Sequence, residues 1–70
     1  MMGSRPATLL GIGATSIHGQ LNVALQFKLD GDDAVSMSSV PAESCPSDLK
    51  PGERVNLEFV LGNVMRVSRL

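Results

Sequence analysis

The sequence predicts an all-β domain, and three observations carry that reading. Residues 21–29 alternate inward apolar side chains with outward ones, and residues 54–59 alternate polar and apolar without a break. That is the period of a half-buried strand. Clusters of Gly, Asp, Asn and Pro punctuate the chain between such runs. The spacing gives five short runs, parted by short turns and one longer connection.

Taken in order, Ser4-Arg5-Pro6 is expected to be a loop entry, and residues 1–6 to be flexible. The first strand is expected over 7–17. Leu10, Ile12 and Ala14 would share one face, and Gly11 and Gly13 the other. Glycines in a strand mark a bend or a close backbone approach. The pair Gly11/Gly13 lacks a following helix, so it does not make a phosphate loop. His18-Gly19-Gln20 is a turn. The second strand, 21–29, points Leu21, Val23, Leu25, Phe27 and Leu29 inward. Asp30-Gly31-Asp32-Asp33 is a solvated turn whose spacing is not that of a calcium-binding loop. The third strand is expected over 34–40, with Val35 and Met37 inward. Residues 41–51 hold too much proline for a long helix; Ser47 could cap a single turn, and Leu49 could anchor the loop on the core.

Lys50-Pro51-Gly52 reverses the chain into the fourth strand, 53–61, which buries Val55, Leu57, Phe59 and Leu61. The fifth follows at 64–69. A three-residue loop, Leu61-Gly62-Asn63, would set Phe59 opposite Met65, Leu57 opposite Val67 and Glu58 opposite Arg66, keeping core with core and charge with charge. The predicted core is Leu25, Phe27, Val35, Leu57, Phe59 and Val67. Five such strands suit a small five-stranded OB-like barrel.

Seventy residues make one domain, 1–70, and a chain this short buries a modest core. The lone cysteine, Cys45, forms no internal disulfide, and no Cys/His cluster suggests zinc. Oligomerisation is the remaining way to stabilise so small a core, so a homo-oligomer is expected. A single thiol fits a reducing, cytoplasmic setting. No apolar run approaches the length of a membrane span. Six basic and seven acidic residues, scattered along the chain, leave no footprint for duplex nucleic acid. One His and one Cys, on different turns, make no nucleophilic pair, and Glu43 and Glu58 make no acid–base pair. The chain is therefore expected not to be an enzyme.

With strands and turns placed, the chain resembles the molbindin-type domain, the Mop branch of the TOBE families, over nearly its whole length. Ser4, Gly11, Gly19, Asn22, Leu29-Asp30-Gly31-Asp32-Asp33, Leu49-Lys50-Pro51-Gly52 with Val55, and Asn63-Val64-Met65 carry the resemblance. It implies an OB-like barrel that assembles into dimers or rings and binds molybdate or tungstate at subunit interfaces. A small tetrahedral dianion needs several converging donors and some positive charge. Ser4 and Arg5, with Ser38, Ser39 or Ser44 of a neighbouring subunit, are the donors this implies here. Where the family opens Ser-Ala-Arg-Asn, this chain has Ser4-Arg5-Pro6-Ala7, and Val60 stands where the family has a lysine. The runner-up reading is a single-stranded nucleic-acid binder of cold-shock type. It is suggested by residues 32–55, although both phenylalanines fall on inward faces and leave no stacking platform. A purely structural or partner-binding barrel is the third.

Overall fold

The computed structural model describes residues 2–70. Five antiparallel strands form one sheet: β1 Met2–Ile17, β2 Gln20–Leu29, β3 Ser36–Pro41, β4 Arg54–Val60 and β5 Asn63–Arg69. A short 3-10 turn, Ala42–Ser44, follows β3. The order across the sheet is β3-β2-β1-β4-β5. β1 organises it. Its first half, Met2 to Thr8, pairs with β4, and its second, Ala7 to Ile17, pairs with β2. The chain is all-β, as expected. The sheet curls until the edge strands β3 and β5 meet, running the same way, but they share no ladder, so the barrel is not closed.

β1 starts at Met2 rather than at residue 7. Residues 2–6 form a strand because β4 supplies a partner for each: Ser4 faces Glu58, Arg5 faces Leu57 and Pro6 faces Asn56. Proline brings no N–H to the ladder. Its carbonyl is used instead, accepting from the Asp30 N–H at 3.1 Å.

A bulge at Leu10 interrupts the β1–β2 ladder just past the end of the pairing with β4. There the loop before β4 ties down the strand: Leu9 N–H donates to the Glu53 carbonyl at 2.9 Å, and Gly52 N–H donates to the Leu9 carbonyl at 2.7 Å. The extra residue shifts the alternation by one. Leu9 is buried and Leu10 is turned out, so Leu10 does not share a face with the core-packed Ile12 as the alternation predicts. Beyond the bulge Gly11 admits a close approach: a Cβ there would meet Gln26 Oε1 at 2.8 Å.

The core is Ala7, Leu9, Leu25, Phe27, Leu29, Val40, Leu49, Val55, Leu57, Val64 and Val67, with Ile12, Val23, Cys45 and Phe59 packed against it. No polar side chain is buried among the described residues. Leu49 anchors the long loop as anticipated. Val35 and Met37 were expected inward and are 57% and 74% exposed. The reason is register. Val40 is buried opposite Val23, so β3 turns residues 36, 38 and 40 inward and residues 37 and 39 outward, and Val35 lies just before the strand.

The β4–β5 hairpin also differs from the expected one. Leu57 does face Val67 and Glu58 does face Arg66, but Phe59 faces Val64, not Met65. The loop has two residues, Leu61-Gly62, with φ of 53° and 84°, both in the left-handed region that the tightest hairpin turn requires. A bulge absorbs Met65. Val64 therefore takes the core position, Phe59 is half-buried, and Leu61, expected inward, is 77% exposed.

Candidate functional site

The densest polar arrangement lies where the end of β2 and the start of β4 flank the middle of β1. Arg54, the first residue of β4, makes a two-pronged pair with Asp30: Nη1 to Oδ1 at 2.7 Å and Nη2 to Oδ2 at 2.5 Å. Its Nη1 also donates to Thr8 Oγ1 at 3.1 Å. Thr8 and Arg54 are cross-strand partners, and Thr8 faces Lys28 on the other side, so the register of β1 sets this geometry. Arg5 Nη2 donates to the Asp30 carbonyl at 3.2 Å and stands 3.9 Å from Asp32. Thr8, Leu10, Lys28, Asp30, Asp33 and Arg54 line an open cleft of about 510 Å³.

The hydrogen bonds from Arg54 hold the Asp30 carboxyl below the usual carboxylate range; partial burial opposes this, and the charges of Arg54 and Arg5 add to it. The same bonds raise the Arg54 guanidinium. A second clasp ties the long loop to β5. Arg69 donates to Asp48 at 2.7 Å and to Glu53 at 3.1 Å, and Glu53 Oε2 accepts the Lys50 N–H at 2.7 Å. The Arg69 bond lowers Asp48; the Lys50 N–H and then Arg69 lower Glu53.

A third feature is apolar. Ile12, Ala14, Leu21, Val23, Cys45 and Leu49 are among the residues lining a groove of about 360 Å³ between the β1–β2 hairpin and the long loop. Burial pushes the Cys45 thiol up, with Arg69 opposing.

The residues singled out from the sequence are dispersed within one chain. Ser4 and Arg5 are neighbours in an extended strand and point opposite ways. Ser4 lines a hollow with Gly3, Glu58, Phe59 and Val60, while Arg5 reaches the Asp30 turn. Ser38 and Ser39, on the edge strand β3, face Leu25 and Ala24 of β2, and Ser44 ends the 3-10 turn. Serines of the same chain therefore do not join Arg5. The Arg54–Asp30–Thr8 clasp was missed from the sequence. Its members lie 24 and 46 residues from Arg54, and no local pattern links them. Among the described residues, no three His, Cys, Asp or Glu side chains are placed to hold a metal ion, and no helix is long and apolar enough to cross a membrane.

Compared with known proteins, the chain matches no family model, no curated protein and no solved structure.

Proposed function

We propose that this domain works by association rather than catalysis, binding a small oxyanion of the molybdate or tungstate class at a contact between copies of itself. The observation that supports this best is the state of Arg5. Arg54 and Arg69 are committed to carboxylates at hydrogen-bond distance. Arg5 spends its described hydrogen bond on a carbonyl, and Asp32 at 3.9 Å is too far for a second. About half of its side chain is exposed. It keeps donors for an incoming anion, and a guanidinium can offer two in parallel.

The serines diverge from Arg5 within one chain, so the remaining donors must come from another. Ser38, Ser39 and Ser44 are the candidates, on the strand and turn at the other side of the sheet. The half-buried Cys45 thiol suits a reducing, cytoplasmic compartment.

The test is calorimetric titration of molybdate, tungstate and sulfate into the wild type and Arg5→Ala. Removing a charge-assisted bond should weaken binding by about 1.5–3 kcal/mol. A wild type that shows neither heat nor thermal shift with any of the three sinks the anion reading and leaves a structural, partner-binding domain.

A further inference from the structure

The turn between β4 and β5 carries two costs, both at Leu61. Leu61 takes a positive φ at a position where Asn, Asp or Gly is the usual choice. It also holds a large apolar side chain 77% in solvent. Local strain combined with exposure is a reason to look for a contact outside the chain. The groove around Ile12, Leu21, Val23 and Cys45 is open and mostly apolar. Tip and groove lie at opposite ends of β1: the tip follows Val60, which faces Met2, while the groove is built on Ile12 to Ala14.

We infer that the Leu61 tip of one copy docks in the Cys45 groove of the next, giving a head-to-tail assembly. Charge favours a second copy as the occupant. Glu43, in the 3-10 turn next to the groove residue Ala42, is exposed and makes no ion pair among the described residues. Arg66, close behind the tip, is more than two-thirds exposed and has only Glu58 at 3.9 Å. Docking the tip brings Arg66 of one copy towards Glu43 of the other. Because the two surfaces differ, the contact is heterologous, and it closes into a ring or continues as a filament. This inference rests on the assembly half of the proposed function and not on its anion half.

Two variants test it, both without anion present. Leu61→Asn puts a residue suited to positive φ at the tip, so the fold should unfold as cooperatively as the wild type. Self-association measured by sedimentation should nevertheless weaken at least tenfold. In Leu61→Cys each copy carries one thiol at the tip and the native one in the groove. Oxidation should then give a ladder of multimers on a non-reducing gel, and adding Cys45→Ser should abolish the ladder. A wild type that stays monomeric at submillimolar concentration overturns the inference. So does a Leu61→Asn protein of wild-type mass, or a Leu61→Cys protein that gives only dimers or no cross-links. A chain that assembles in this way yet takes no molybdate would sink the anion reading alone.

Discussion

The β1–β2 and β4–β5 hairpins are closed by the same device. Each has a two-residue turn with both φ values positive, His18-Gly19 in one and Leu61-Gly62 in the other. Each also carries one bulge, at Leu10 in β1 and at Met65 in β5. In both, the bulge turns one large apolar residue towards solvent and brings another into the core: Leu9 instead of Leu10, Val64 instead of Met65. The difference lies in what else depends on the bulge. In β1 it falls just past the residues that pair with both β2 and β4, and it is fixed by bonds from the long loop. In β5 it accommodates the tight turn and costs Phe59 its full burial. The first bulge serves the whole sheet, the second only its own hairpin.

The largest test of that contrast compares the two phenylalanines. Phe27 sits on the uninterrupted strand of the first hairpin and is 2% exposed. Phe27→Ala should cost about 3–5 kcal/mol in denaturant unfolding. Phe59, half-buried beside the second bulge, should cost about 1–2 kcal/mol as alanine, a partial loss of its transfer free energy. Equal losses would mean that Phe59 is as well packed as Phe27 and that Met65, not Val64, stands opposite it.

The same contrast explains what was legible in the sequence. Residues 23–29 read correctly because nothing interrupts their alternation, and β4 read correctly up to Glu58 for the same reason; Leu21, expected inward, is 56% exposed beside the β1–β2 turn, where the core has ended. A bulge adds one residue without changing composition, so period two continues in the sequence while the side chains exchange faces. The shared face of Leu10 and Ile12 and the pairing of Phe59 were misplaced for that reason. Val35 and Met37 failed differently: β3 takes its register from Val40, and its inward partners Ser36 and Ser38 carry no apolar signal. Of the candidate site, Arg5 was visible as a cation in an opening segment. Its partner was not, because the Asp30 carbonyl is a backbone group brought close by the β1–β2 register.

A smaller effect separates the two turns. The left-handed conformation costs an ordinary L-residue roughly 1–2 kcal/mol and Asn less. Histidine enters that region more readily than leucine does. Leu61→Asn should therefore stabilise the monomer by about 0.5–1 kcal/mol, and His18→Asn by less, when thermal unfolding is followed at a dilution where no self-association remains. Equal gains at the two tips would mean that leucine adds no strain of its own.

The smallest expected effect concerns the clasp that joins the hairpins, with Asp30 after β2, Arg54 opening β4 and Thr8 between them on β1. The Asp30 carboxyl is held below its ordinary value chiefly by the Arg54 hydrogen bonds. In the unfolded chain it returns to about 3.9. A carboxyl depressed in the folded state stabilises the fold above its unfolded pKa, and the contribution disappears as pH falls through the folded value. Both partners are substantially exposed, so water and salt screen the pair and the effect is modest. Asp48 and Glu53 are depressed in the same way by the Arg69 clasp, so the wild type alone cannot isolate Asp30. The difference in melting temperature between wild type and Asp30→Asn can. It should be present at neutral pH, shrink below pH of about 4, and shrink also on adding salt at neutral pH. A gap that persists unchanged into acid would mean that Asp30 acts through the geometry of its turn. The charge of Asp30 would then add nothing to the ladder and core that hold the two hairpins together.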